Sequence, residues 1–405
     1  MKYTTNIHKG FTLVELVVVI AVIAILSTLI IVSLDNAKMT GRDTRRLTDI
    51  KQIQLALKLY YNDTGMYPTT ITAGASIANH GSNYLLRVPS NPLPRTDNDC
   101  PNQDYTYTQL EGGQRYSLTF CLGDKTDDLS GGIKTATANG ILDCGEGYVP
   151  VPGSATFDTN DFCVMKYEAK CVAKAAPTSG YKEPTTPTGG YDNNAVPCNS
   201  DKEVASVATG FPITNISQTD ASTYCQAIGA HLMTNAEWMT MARQLEQVPA
   251  NWDSGVVGTG TLHGIYTAGG IMEDGGVDTS PSSRAQHGLQ LFSGQYLWHL
   301  ANSVGEWTDD ICTGGDGEGK YHTDNSPKEW SEPVLDDYER AVAGPSNSAW
   351  TSTEGIGMFS GCDPEESAFV RGGDNNGSNG NGLFNLDLSK LPGTLSEFIG
   401  FRCVK

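Results

Sequence analysis

The chemistry-bearing residues of this 405-residue chain fall into three groups. The first lies near the C-terminal end, where Asp374, Asn375, Asn376, Ser378, Asn379, Asn381, Asn385 and Asp387 are interleaved with glycine between Arg371 and Phe401. Short amide, carboxylate and hydroxyl side chains on a rigid frame offer adaptable hydrogen bonding, the chemistry of a recognition surface. Leu383, Phe384, Leu386 and Leu388 are apolar enough to pin the stretch to a core while its polar residues face out. The alternative is a loosely held polar loop. The second group is ten cysteines, at 100, 121, 144, 163, 171, 198, 225, 312, 362 and 403. None forms a C-x-x-C pair and no Cys/His knuckle accompanies them, which argues against structural zinc. Their even number and wide spacing fit disulfides in an exported chain. The third group is titratable and scattered. His231, His263, His287, His299 and His322 form no Ser/His/Asp arrangement and read as surface or hydrogen-bonded structural residues, whereas Glu15 heads a long apolar run.

Those residues must be positioned by a few elements. Leu16 to Leu34 is a run of nineteen residues with no charge and only Ser27, Thr28 and Ser33 polar. As a helix it spans roughly 28 Å, about one bilayer core. A secretory signal peptide would need a small-residue cleavage site after the run, yet SLDNAKMTGRDTRR follows. A carboxylate at the edge of such a segment costs about 2–3 kcal/mol or more if drawn to the membrane centre, so Glu15 calls for a partner. Beyond the run, Leu47, Ile50, Ile53 and Leu57 recur at three- and four-residue steps, with Leu55 and Leu59 widening the stripe, until Gly65 and Pro68 end it. The spacing predicts one helix over 11–61, about 75 Å long. In a small β head over 62–131, YTYTQ and RYSLTFCL alternate as two strands with a GG turn, and Cys100 and Cys121 bracket the hairpin as a candidate disulfide. The acidic GDKTDDLSGG at 123–132 leaves calcium open beside a solvated turn, and no other cofactor is called for. Residues 132–143 read as a small, Gly-bearing linker.

Composition narrows the function classes. Apolar residues make up 39% and charged ones 18%, ample for cores and too little charge for a charge-driven disordered chain. Glycine, at 45 residues, favours loops and short strands over a helical bundle. The net charge is −19, yet residues 1–60 hold eight Lys/Arg against four Asp/Glu. The body is therefore strongly acidic and ill suited to a nucleic-acid partner, which needs phosphate-neutralising cations. The positive excess lies beside the apolar run, as a membrane segment requires.

The sequence MKYTTNIHKGFTLVE ahead of the run resembles the type IV prepilin leader shared by pilins and type II secretion pseudopilins. The resemblance implies a leader over 1–10, cleavage by a prepilin peptidase between Gly10 and Phe11, and methylation of the new Phe11 amine. It also implies that Glu15 pairs with the N-terminal amine of a neighbouring pilin subunit. LALKLYYNDTGMYP resembles the major pseudopilins and related minor pilins.

From Cys144 the texture changes to short strand-like pieces broken by Gly, Pro and Asn, with a Pro/Gly/Thr-rich surface loop at 176–197. Ser217 and Thr219 can cap a first helix with Ala221, Tyr224, Cys225 and Ile228 inward. Thr234 with Glu237 opens a second as a capping box, burying Trp238, Met241, Ala242 and Leu245. Trp238 and Trp307 read as core, each indole N–H needing a partner. The segments HLMTNAEWMTMAR, LANSVGEWTDD, FVRGGD and IGFRC, in that order, resemble the formylglycine-generating-enzyme-like (sulfatase-modifying factor) domain, a variant of the C-type lectin fold. The resemblance covers 144–405. It implies that the first helix lies against the C-terminal strand, suggesting a Cys225–Cys403 disulfide, and Cys312–Cys362 is the companion expectation. Spacing alone fixes neither. The family's enzymes oxidise a substrate cysteine with two copper-binding cysteines near the C-terminus; here only Cys403 lies in that stretch, which argues against an enzyme. RGGDNNGSNGNGLFNLDLS…IGFRC also resembles the variable region of diversity-generating retroelement target proteins, over about 370–402.

The expected fold class is α+β: a long N-terminal transmembrane pilin helix with a small β head, then a C-type-lectin-like domain. The expected function is a pilin-like subunit, in the cytoplasmic membrane and then in a filament or on the cell surface, displaying a binding site for a protein or glycan. A purely structural pseudopilin and a displayed sulfatase-modifying-type enzyme are the rival expectations.

Overall fold

A computed structural model describes residues 13–173, 198, 202–208, 211–263, 288–301, 303–313, 321–324, 326–362, 366–373 and 381–405, with the side chains of 24–34 outside that set. Helix and sheet are mixed. The first element, α1, is a single helix over Leu13–Thr64. It runs three residues past the expected end because the turn closes at Gly65, whose φ of +76° suits glycine and whose N–H reaches Tyr61 O at 2.8 Å. Among the described residues no helix is long and apolar enough to cross a membrane; the second half of the apolar run falls at 24–34.

The C-terminal half of α1 buries Leu47, Ile50, Ile53, Ala56 and Leu57 against Tyr116, Leu118 and Phe120 of the head sheet. Leu55 and Leu59, expected to widen that stripe, are instead exposed. They lie beyond the arc that a single packed sheet can cover. The head holds a hairpin, β1 (Ile77–Asn79) with β2 (Ser82–Leu85), and an antiparallel sheet. That sheet takes β3 (Thr106–Leu110), β4 (Arg115–Leu122), β5 (Gly132–Ala136) and β6 (Ile141–Leu142) in sequence order. The expected linker at 132–143 is therefore corrected: it supplies the last two strands. GIKTA carries a weak strand pattern, and tertiary pairing overrides it, setting Phe120 opposite Lys134 and Leu118 opposite Ala136. The buried Lys134 ammonium is satisfied by Ser130 Oγ and Gly131 O, each at 3.0 Å, and by Asp143 at 3.0 Å.

The remainder is built on two main sheets. One has the order β11 (His231–Leu232), β19 (Cys403–Val404), β8 (Phe162–Met165) and β7 (Tyr148–Val151). The other has the order β15 (Phe359–Ser360), β17 (Leu386–Lys390), β16 (Glu366–Arg371), β14 (Gly305–Thr313) and β18 (Ile399–Phe401). Two small hairpins pair β9 (Ala169–Ala173) with β10 (Lys202–Ser206), and β12 (Gly288–Gln290) with β13 (Tyr296–Trp298). Helix α2 (Gln218–Ala227) is capped by Ser217, which accepts from Asp220 N–H, and α3 (Asn235–Leu245) by the Thr234/Glu237 capping box. A third short helix, α4 (Asp337–Ala343), went unforeseen, although Asp336 and Glu339 write the same signature. Trp238, Trp252, Trp330, Phe359 and Phe384 share one core; Trp307, Val370, Phe401 and Cys225 share the other. All ten cysteines are joined: Cys100–Cys121, Cys144–Cys163, Cys171–Cys198, Cys225–Cys403 and Cys312–Cys362. The loop at 176–197 lies outside the described residues.

Candidate ligand-binding surface

The polar stretch after β16 is held by a buried frame. Arg371, at the end of β16, is fully buried; its Nε donates to Asn235 Oδ1 at 2.9 Å, and its Nη1 to Ala343 O at 3.0 Å and Phe384 O at 3.4 Å. Burial pushes its guanidinium down to about 9, with Tyr321 and Asp310 pulling the other way. Gly372 sits at φ +74°, and a Cβ there would strike Leu300 O at 2.5 Å. The chain returns at Asn381, and Leu383, Phe384, Leu386 and Leu388 are buried, as their apolar character suggested. Trp238 Nε1 donates to Leu383 O at 2.9 Å, fixing the floor of the segment from α3. Phe384 N–H meets Ile356 O at 2.8 Å and Leu386 N–H meets Met358 O at 2.9 Å, so the strand is tied on its outer edge too.

With the apolar residues turned in, Asn381, Asn385 and Asp387 turn out and line one concavity of about 150 Å³. Lys390, Ser360, Met358 and Phe398 complete much of its wall. Asp387 lies 3.3 Å from Lys390 Nζ and accepts from Ser389 N–H at 2.8 Å. Asn385 Oδ1 accepts from Met358 N–H at 3.2 Å. Asn381 Oδ1 is covered by Gly373 and makes no hydrogen bond among the described residues. The arrangement offers two amide side chains, one charge pair and a thioether-and-aromatic wall, which suits recognition. Asp374, Asn375, Asn376, Ser378 and Asn379 lie outside the described residues, as do Gly10 and Phe11. Glu15 stands in the first turn of α1, far along the chain from this surface.

The motifs that drew attention in the sequence form the frame behind this surface. Glu306 pairs with Arg402 at 2.7 Å, both buried, and burial raises the carboxyl against the pull of that guanidinium. Trp307 Nε1 donates to Ile216 O at 2.9 Å. Asp310 accepts from Asn235 N–H, with its carboxyl pushed up by burial. The histidines serve the frame as well: His231 faces Glu237 at 2.8 Å, His263 faces Asp253 at 2.9 Å and His322 faces Glu339 at 3.0 Å. His299 is buried, and His287 is outside the described residues. Among the described residues no group of three or more His, Cys, Asp or Glu could hold a metal ion. In the 123–132 loop the Asp43 carboxylate takes the N–H groups of Gly123 at 3.0 Å and Asp124 at 3.1 Å. Sequence reasoning missed Met358, Ser360 and Phe398, which reach the concavity only through strand order.

The sequence matches the model of the sulfatase-modifying factor enzyme 1-like domain over residues 153–405, and that of the prokaryotic N-terminal methylation motif over 5–31. Its N-terminal part is 34% identical over 139 residues to the type II secretion system core protein G of Vibrio cholerae serotype O1, covering 32% of this chain and 87% of that protein. It is 33% identical over 88 residues to the core protein G of Escherichia coli K12, covering 22% of this chain and 55% of that protein. Among solved structures it is similar to the Major Tropism Determinant I1 variant, with 11% identity and a TM-score of 0.27 over 71% of this chain. The M1 variant gives 10% identity and 0.28 over 71%. The chain spans 62% of the length of each of these two structures.

Proposed function

We propose, from the premise that this chain belongs to the sulfatase-modifying factor enzyme 1-like family through residues 153–405 and to the type II secretion system core protein G family through its N-terminal part, that it is a pseudopilin-type filament subunit displaying a ligand-binding domain. In this reading residues 1–10 are a leader removed before Phe11, Leu16–Leu34 crosses the cytoplasmic membrane, and Glu15 meets the N-terminal amine of a neighbouring subunit. Residues 62–142 form the pilin head and 144–405 a C-type-lectin-type unit. Its ligand, a surface protein or a glycan, would meet the concavity of Asn381, Asn385 and Asp387 together with Asp374, Asn375, Asn376, Ser378 and Asn379. The observation that carries this reading is the burial of Leu383, Phe384, Leu386 and Leu388 as an apolar floor, with Asn381, Asn385 and Asp387 lining one depression. A diversified segment needs such a frame, since its outward side chains must change without loss of fold. The resemblance to retroelement-varied proteins belongs to the same reading, and a neighbouring reverse-transcriptase gene with a near-copy of the 370–402 stretch would support it.

The reading excludes the family's oxidase chemistry. That chemistry needs two thiolates on one soft metal, and Cys403 is tied to Cys225. A full-length, oxidised chain in detergent, screened on a glycan array and against a panel of purified cell-surface proteins, tests the proposal. Binding by the parent that is lost in Asn381→Ala/Asp387→Ala, at unchanged Tm, is the expected result. Binding that survives both changes moves the site elsewhere. A second reading, a structural pseudopilin without ligand, is favoured by the identity with secretion proteins falling wholly in the N-terminal third. Loss of secretion in a deletion strain, restored by a chain truncated after residue 142, would select it.

A further inference from the structure

The head sheet and the unit that follows it are joined at three separate places. The connection between β6 and β7 is pinned at both ends. Asp143 accepts from Ser130 N–H at 2.7 Å and Ser130 Oγ at 2.6 Å within the head, while the next residue, Cys144, is bonded to Cys163 on β8. Four residues on, Gly147 O accepts from Lys166 N–H at 2.9 Å.

The second junction comes from the turn between β3 and β4. Glu111 takes a left-handed φ of +49°, a conformation uncommon for a residue with a Cβ. Its carboxylate accepts from Ser154 Oγ, from Ala155 N–H at 2.9 Å and from Thr156 N–H at 3.4 Å, with Arg115 at 3.6 Å behind it. These donors hold the Glu111 carboxyl below its usual range, against the opposing effect of burial. The receiving loop is itself rigid. Ser154 and Thr159 exchange backbone hydrogen bonds at 3.2 and 2.9 Å, and Thr159 Oγ1 meets Thr240 Oγ1 of α3 at 2.8 Å.

The third junction comes from the turn between β5 and β6. Thr137 Oγ1 donates to Asp161 Oδ2 at 2.6 Å and Asn139 Nδ2 to the same oxygen at 3.1 Å, while Asp161 Oδ1 accepts from Gly153 N–H at 2.8 Å. Thr137 O in turn accepts from Gln54 Nε2 of α1 at 2.8 Å and from Tyr116 OH at 2.9 Å. A continuous polar path thus runs from the long helix through one head turn into the loop that leads to β8.

We propose that the head and the 144–405 unit form one rigid body, in which Glu111 and Asp161 act as a clasp between two docked surfaces of the same chain. Two attachments from two different turns, added to a connection pinned at both ends, oppose a swing of the unit about that connection. The consequence goes beyond ligand display: the concave surface keeps a fixed orientation to α1, and a pull on it reaches the helix through the clasp.

All native cysteines are disulfide-bonded, so Lys125→Cys and Val334→Cys, both at exposed positions, give the only free thiols for a pair of spin labels. Pulsed dipolar spectroscopy on the full chain in detergent is expected to give one narrow distance distribution. Adding Glu111→Ala and Asp161→Ala is expected to broaden it at least about two-fold, with Glu111→Gln falling between. A broad distribution in the otherwise native chain overturns the proposal, and so does a width unchanged by both substitutions. Loss of folding in the double variant leaves Glu111→Gln and the otherwise native chain to decide it.

Discussion

Arg371 and Asn235 are 136 residues apart in sequence, yet Arg371 Nε donates to Asn235 Oδ1 at 2.9 Å with the guanidinium wholly buried. The contact joins the last residue of β16 to the first of α3. The same guanidinium holds Phe384 O, so the edge of the candidate ligand surface is tied to a helix cap. A buried cation stripped of a partner is costly, and Asn235→Ala should destabilise the chain by about 3 kcal/mol. The urea midpoint of the full chain reads this directly. Arg371→Met removes the charge with its need for partners, so the double variant should cost clearly less than the two single changes added together. Strict additivity would mean that the two residues do not act as a unit.

His231 gives a pH dependence with a definite sign. Its hydrogen bond to Glu237 raises the imidazole above its usual range, with burial opposing. A raised folded-state value means that the pair contributes fully below about pH 6.5, the unfolded value, and that the contribution disappears as pH rises through the folded one. The side chain is 45% exposed, so solvent screening limits the effect to less than about 1 kcal/mol. Stability of the parent relative to His231→Gln should therefore show an advantage at pH 5.5 that is gone at pH 8.5. An advantage that grows with pH would contradict the pairing.

Lys134 is the counterpart in the head. Its buried ammonium, coordinated by Ser130 Oγ, Gly131 O and Asp143, supplies a positive charge between β5 and the acidic 123–132 loop. Lys134→Ala should lower stability by about 3 kcal/mol, because Asp143 is left without its cation. The Tm of the parent should be the same in calcium and in a chelator. A calcium-dependent Tm would restore the loop as a cation site.

What the sequence made legible divides along a physical line. Signals carried within one turn of helix were readable: the Ser217 cap, the Thr234/Glu237 capping box and the inward face of Trp238, Met241, Ala242 and Leu245 all stand as their spacing implies. So was the burial of Leu383, Phe384, Leu386 and Leu388, because four apolar residues in a polar, glycine-rich stretch seek a core whatever the partner strand. What depends on partners was not. GIKTA becomes a strand only because β4 lies beside it, and Leu55 and Leu59 stay exposed because the head sheet is narrow. Arg371 looked like part of a motif in the sequence, yet its function as a positioning residue appears only once Asn235, Ala343 and Phe384 surround it. The wall residues Met358 and Phe398 reach the concavity because β15 and β18 border the same sheet, a fact of strand order alone.

Asn385 and Asn381 differ in a way that bears on any binding test. Asn385 Oδ1 takes Met358 N–H at 3.2 Å, so its loss removes a strand-edge hydrogen bond as well as a side chain of the candidate surface. Asn385→Ala should cost about 1 kcal/mol of stability, whereas Asn381→Ala, whose Oδ1 makes no hydrogen bond among the described residues, should be near neutral. Melting curves of the two single variants separate them, and equal losses would refute the distinction.

Glu15 stands near the other end of the chain. It lies in the first turn of α1, where the helix dipole favours a carboxylate, but it heads a run whose other residues suit hydrocarbon. Desolvating that charge is tolerable only if a cation meets it, and the proposed partner is the N-terminal amine of a neighbouring subunit. Removing the carboxylate takes away the pairing but makes the segment more apolar. Glu15→Ala should therefore leave the amount of chain in the membrane fraction unchanged while lowering its incorporation into filaments several-fold. Fractionation followed by filament shearing and immunoblotting measures both quantities. Normal incorporation of the variant would remove Glu15 from assembly, and loss from the membrane fraction would assign it to insertion instead.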